Sequence, residues 1–133
     1  MRKFYVASSF KNKDTVRFVC QHLKNKGFIQ TYDWTINERA STIDELKNIG
    51  YEEREAVLES DFLIVILPAG KGSHIELGIA LGQRKKIYLY SSVGEINNID
   101  TTSTFYHLPE VDNFFGTIEN LLEKVCTNEY FHN

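Results

Sequence analysis

The sequence predicts an α/β fold, a flavodoxin-like or Rossmann-like doubly wound parallel sheet of about five strands. Three observations predict it. Short apolar runs alternate with helix-length stretches along the chain. The run from Phe62 to Leu67, FLIVIL, is apolar at every position, as a strand covered on both faces must be. A length of 133 residues with 42% hydrophobic content suffices for one core, and a second independent core is not expected. A single domain spanning 1–133 follows as the expectation.

Phe4 to Ala7 reads as the first strand. Lys13 to Lys26 places Val16, Val19, Cys20 and Leu23 at helical spacing before Gly27 stops it. Phe28 to Trp34 reads as a second strand, followed by a polar stretch to about Thr42. A helical stretch then runs from Ile43 to Ser60, as one helix or as two divided at Gly50. Asp61 to Leu67 is the central strand. Pro68 to Ser73 is a loop, His74 to Arg84 a helix that puts Glu76 in its first turn, and Ile87 to Tyr90 a strand. Ser91 to Ser103 is polar and long for a connection in a compact domain, which makes it a candidate lid or interface. Thr104 to Leu108 is expected as the fifth strand and Val111 to Val125 as the last helix. Strands separated by helices imply right-handed crossovers. Such sheets bind ligands beyond the carboxyl ends of the strands, where the strand order reverses.

The formal charge of −3, with Lys and Arg interspersed among Asp and Glu, argues against binding to a nucleic-acid polymer. Cys20 and Cys126 have no partners at metal-ligand spacing and are expected as buried thiols, so neither a metal nor a cofactor is predicted. The opening Met-Arg-Lys leads straight into an apolar stretch too short for a signal sequence and lacking a small-residue cleavage site. No run approaches the roughly 20 apolar residues that span a bilayer. A soluble, cytoplasmic chain without membrane partners is the expectation.

The residues just after each strand are the candidates for chemistry. Ser8, Ser9 and Phe10 follow the first strand, where hydroxyls and free N–H groups serve either sugar and phosphate recognition or simple helix capping. Asp33, flanked by Tyr32 and Trp34, follows the second; such a group either grips a base or ribose or caps the next helix. Gly70, Gly72 and Ser73 follow the third strand, the glycines allowing a sharp turn and close approach to a ligand. Glu76 lies beyond them, as a reactive carboxylate or as a partner of the helix dipole. His74 is placed to carry a proton or contact phosphate, or to serve structure alone. The spacing matches neither a Walker A loop nor a dinucleotide fingerprint.

The segments Glu59-Ser-Asp-Phe-Leu-Ile-Val-Ile-Leu67, Gly72-Ser-His-Ile-Glu-Leu-Gly-Ile-Ala-Leu81 and Lys86-Ile-Tyr-Leu-Tyr90 resemble the nucleoside 2-deoxyribosyltransferase family, including its deoxynucleoside 5′-monophosphate N-glycosidase branch. The likeness runs from Phe4-Tyr-Val-Ala-Ser-Ser-Phe10 to about Tyr90. It implies that Glu76, in the Glu-Leu-Gly motif, is the nucleophile that attacks the anomeric carbon of a nucleoside or nucleotide. It also implies a homodimer or larger homo-oligomer, for which the Ile43 to Ala56 segment is a candidate surface. Such a reaction needs a proton donor for the leaving base, with Asp33, Glu53, Asp61 and His74 as candidates. Asp61 is set aside because it opens its strand at the far end of the sheet. Three positions depart from the family's pattern. Glu53 stands where members usually carry aspartate, His74 where they often carry glycine, and Gly70 where the monophosphate glycosidases carry a phosphate-binding serine. The resemblance leaves two alternatives: a Toll/interleukin-1-receptor-like domain that cleaves NAD, and a non-catalytic nucleotide-binding module.

Overall fold

The computed structural model describes residues 2–130. Five parallel strands form one sheet in the order β2-β1-β3-β4-β5, with β1 Lys3–Ser8, β2 Ile29–Gln30, β3 Phe62–Ile66, β4 Lys86–Ser91 and β5 Val111–Phe115. Helices α1 Lys13–Asn25, α2 Ile43–Glu59, α3 Lys71–Gly82 and α4 Ile118–Tyr130 supply the crossovers and cover the sheet on both sides. The predicted flavodoxin-like α/β architecture is therefore present. Strand β3 is buried at every position between β1 and β4. The face of α1 that packs inward is Val16, Val19, Cys20 and Leu23, the set that the helical spacing selects.

From β1 the chain first moves outward to β2 and then crosses back to β3, so the strand order reverses between β1 and β3. Ser8 pairs in register with Ile66 where these two strands end. This is the sheet's topological switch point, and the loops leaving it in opposite directions open a crevice.

Several boundaries differ from those read in the sequence, each for a local reason. Strand β2 is only Ile29–Gln30 because the Asp33 side chain accepts from Thr35 N and from Thr35 Oγ1, at 3.0 and 2.5 Å, and turns Trp34–Ile36 into a 3₁₀ turn. Helix α2 is continuous through Gly50; Thr42 Oγ1 accepts from Glu45 N at 3.1 Å and Glu45 in turn accepts from Ser41 N, a reciprocal cap that starts it firmly. Helix α3 starts at Lys71 with Gly70 as N-cap, so Glu76 falls in the second turn rather than the first. Thr104–His107 is a 3₁₀ turn capped by Ser103 and not the fifth strand. That strand is Val111–Phe115, inside the stretch expected as the last helix. Thr117 Oγ1 accepts from Asn120 N at 3.1 Å, and this cap fixes the start of α4 at Ile118. Cys20 is buried as expected, whereas Cys126 is only half-buried.

At the opposite edge of the sheet Glu129, 3% exposed, accepts from Arg2 Nη2 at 2.6 Å and from Tyr88 Oη at 2.5 Å. The ion pair with Arg2, just ahead of β1, and the hydrogen bond from Tyr88 of β4 fasten the end of α4 to the sheet. Asp61 lies at the same amino-terminal edge, where its carboxylate accepts from Lys3 N at 2.7 Å. Among the described residues no helix is long and apolar enough to cross a membrane.

Candidate active site

Glu76 sits on the sheet-facing side of α3 and is 7% exposed. The Tyr5 hydroxyl donates to its Oε2 at 2.6 Å. Tyr5 is a fully buried residue of β1, and a buried phenol needs a partner for its hydroxyl; the carboxylate supplies one. Burial pushes the Glu76 carboxyl up to about 8. The Tyr5 hydrogen bond opposes that rise, and the charge of Glu53 adds to it. Burial also raises the Glu53 carboxyl above its ordinary value. Tyr5 is driven far above the usual phenol range by burial and by Glu76, so its hydroxyl remains a donor at every physiological pH.

Around Glu76 lies a cavity of about 310 Å³. The β1 end contributes Ser8, Ser9 and Phe10; Trp34 and Glu53 close a second side; Gly70, Gly72 and Ser73 from the loop and first turn of α3 form a third. The structure thus brings together nine of the eleven residues singled out from the sequence. Phe10 and Trp34 stand with ring centroids 5.9 Å apart, and Trp34 is anchored by donation from Nε1 to Val6 O at 2.7 Å. A neighbouring cavity of about 500 Å³ shares Phe10, Trp34 and Glu53 and is otherwise walled by residues such as Ile49, Asn37 and Arg39.

The polar groups of the wall divide into committed and free ones. Ser8 Oγ donates to Ile66 O at 2.7 Å and accepts from Asn12 Nδ2 at 2.9 Å, so it braces the two strand ends. Asn12 Nδ2 also donates to Pro68 O at 3.0 Å, beside the cis Leu67–Pro68 peptide. Ser9 Oγ is buried and has no hydrogen-bond partner among the described residues. Ser73, 5% exposed, lines the cavity in the first turn of α3, a helix with no side-chain N-cap. The N–H groups at the start of that helix have no intrahelical acceptors.

Two predicted residues are not among those lining this cavity. Asp33 caps the Trp34 turn. The His74 ring is held between Gly70 O, 2.8 Å from Nδ1, and Tyr106 Oη, 2.7 Å from Nε2. Sequence reading missed Tyr5, Asn12 and Tyr106. A tyrosine in a fully apolar strand is the one signal that points to Tyr5, since its hydroxyl must meet a polar group inside. Among the described residues no group of three His, Cys, Asp or Glu side chains is disposed to hold a metal ion.

No family model matches the chain, and no curated protein matches it. Solved structures do. The Clostridium botulinum CMP N-glycosidase BcmB superposes with a TM-score of 0.67 over 96% of this chain and 99% of its own, at 20% identity. A conserved protein from Enterococcus faecalis V583 gives 0.62 over the same shares, at 18% identity. At these identities the likeness is one of architecture: this chain shares the fold of the N-glycosidase structure over nearly its whole length, in agreement with the resemblance read from the sequence.

Proposed function

We propose that the chain cleaves the N-glycosidic bond of a nucleoside or nucleotide, with Glu76 as nucleophile. The observation that carries this is a buried carboxylate at the switch point of the sheet, oriented by the Tyr5 hydroxyl inside a cavity with an aromatic wall. The likeness to an N-glycosidase of the same architecture supports it.

In this reading the base stacks along Phe10 and Trp34 and the sugar lies over Glu76. The carboxylate attacks C1′ as the bond to the base nitrogen breaks, and the positive charge that builds on the sugar is stabilised by the anion. The departing nitrogen takes a proton from Glu53, whose raised affinity for protons suits an acid. Water, or a second base, then attacks C1′, releasing Glu76 as a carboxylate and giving its proton to Glu53. Tyr5 donates to Glu76 throughout and favours its ionised form. A 5′-phosphate, where the substrate carries one, meets the open start of α3 together with Ser9 and Ser73. Asp33 and His74 support the site from behind: Asp33 shapes the turn that presents Trp34, and His74 holds the α3 loop. The chain acts as a homo-oligomer, a reading supported by the exposed Ile43, Leu46 and Tyr51 on α2; light scattering showing a monomer at micromolar concentration counts against that part.

The test is base release, followed by chromatography, from nucleosides, deoxynucleosides, their 5′-monophosphates and NAD. Release by the wild type that Glu76→Ala abolishes supports the proposal. Absence of release from every compound overturns it, and ligand-dependent thermal stabilisation without release identifies a binding module instead. Release of nicotinamide from NAD alone favours the NAD-cleaving reading.

A further inference from the structure

The loop that walls the cavity is built from residues with little steric restraint of their own. Gly70, the N-cap, and Gly72, in the first turn of α3, carry no side chains and have open space where a Cβ would stand, so no side-chain packing of their own steadies the helix start. Yet this turn must present its N–H groups in one direction to be of use to a ligand.

The restraint comes from His74. Gly70 O accepts twice from this one residue, from the backbone N–H at 3.1 Å and from the ring Nδ1–H at 2.8 Å. The Nδ1–H tautomer leaves Nε2 as the acceptor for Tyr106 Oη at 2.7 Å. Tyr106 is 5% exposed and stacks on the imidazole with ring centroids 6.0 Å apart, so the ring is held from outside the helix. Because the peptide unit is planar and trans, fixing the Gly70 carbonyl fixes the N–H of Lys71 in the opposite direction, out of the helix start. The N–H groups of Gly72 and Ser73 follow in the same turn. Ser9 supplies a second, independent indication of a ligand there: it lines the same cavity, and its buried Oγ has no hydrogen-bond partner among the described residues.

We propose that His74, braced by Tyr106, is a positioning residue that keeps the free N–H groups at the start of α3 aimed at an anionic oxygen of the ligand. This rests on the reading of the cavity as the substrate site. His74 itself contacts no reacting atom; it acts through the Gly70 carbonyl, and the segment that carries Tyr106 is thereby part of the ligand-binding apparatus although it lies outside the cavity.

The experiment is a titration of the ¹⁵N-labelled chain with inorganic phosphate and with ribose 5-phosphate, which needs no knowledge of the base. In the wild type the Lys71, Gly72 and Ser73 amide signals shift saturably, and the imidazole nitrogens report the Nδ1–H tautomer. His74→Ala weakens binding of ribose 5-phosphate about tenfold or more, the expected effect of misaiming donors to a charged oxygen. His74→Asn, whose amide N–H takes the place of Nδ1–H, restores most of the affinity, and Tyr106→Phe falls between the two. Unchanged affinity in a folded His74→Ala overturns the proposal, as does a wild type whose α3 amides answer neither ligand. If His74→Ala does not fold, an affinity in Tyr106→Phe equal to wild type overturns it in the same way. Base release that depends on Glu76 with silent α3 amides sinks this inference alone; responsive amides without base release sink the proposed reaction alone.

Discussion

Tyr5 and Glu76, 71 residues apart in sequence, are joined by a 2.6 Å hydrogen bond in the interior, where β1 meets α3. Tyr5 stabilises the ionised carboxylate that burial disfavours, so the two effects compete on one group. Tyr5→Phe removes the favourable member of the pair. The expected outcome is a rising limb of the pH–rate profile displaced toward higher pH, with kcat at pH 7 reduced roughly tenfold, the loss of ionised carboxylate that a shift of about one pKa unit brings. A profile that coincides with wild type removes Tyr5 from the mechanism.

Glu53 acts on the same carboxyl with the opposite sign, since its charge raises Glu76. The two acids titrate as a pair, and profiles report the pair's apparent values. Glu53→Gln is expected to move the rising limb to lower pH while lowering kcat through loss of the proposed proton donor. The lowering is largest for substrates whose bases leave poorly. Steady-state kinetics between pH 5 and 9 read both effects.

Stability carries the same signature. With Glu76 raised to about 8, the folded chain keeps a proton that the unfolded chain releases above the ordinary carboxylate pKa near 4.5. Stability therefore falls as pH rises from about 4.5 to 8 and is flat beyond, by an amount of up to about 5 kcal/mol if this group acted alone. Glu76→Gln is expected to remove the Glu76 share of that slope, leaving what Glu53 contributes, and to melt above wild type at pH 8, while losing base release altogether. Parallel thermal melts of the two proteins across this range check it.

At the other edge of the sheet Arg2 and Glu129 make a prediction without reference to activity. Arg2→Ala leaves a carboxylate that is 3% exposed with no guanidinium beside it. Breaking such a pair by removing one partner costs about 3–5 kcal/mol. Adding Glu129→Gln to Arg2→Ala is expected to recover much of the loss, because the stranded charge is gone. Denaturant unfolding of the single and double variants measures both.

Trp34 separates packing from recognition. Trp34→Phe retains an aromatic face but abandons Val6 O, and is expected to lower stability by about 1–3 kcal/mol with a modest rise in KM. Phe10→Ala alters a ring that is 53% exposed, so KM is expected to rise severalfold with little change in melting temperature. Equal effects on KM and Tm in both variants count against the stacking role.

Most of the fold was legible because its signals are periodic and local. FLIVIL fixes a buried central strand, and the spacing of Val16, Val19, Cys20 and Leu23 fixes the inner face of α1. The misread stretches lie where short-range caps overrule pattern. Asp33 halts β2 early, Ser103 bends Thr104–His107 into a turn, and Thr117 delays α4 until a strand has formed before it. Within the site, residues beside strand ends were found because topology alone puts ligands there. Tyr5 and Tyr106 escaped notice, since each matters through a partner 71 or 32 positions away and nothing in the local sequence names that partner.

The reversal of strand order between β1 and β3 has a consequence for how this protein comes into being. The cavity draws on Ser8 and Phe10, on Trp34, on Glu53 and on Glu76, and no two consecutive elements enclose it by themselves. Its walls meet only after the third strand has docked beside the first, a closure over more than fifty residues of intervening chain. Ligand binding during refolding is therefore a clock for the central pairing of the sheet: it cannot precede that event, whatever helical structure has already formed.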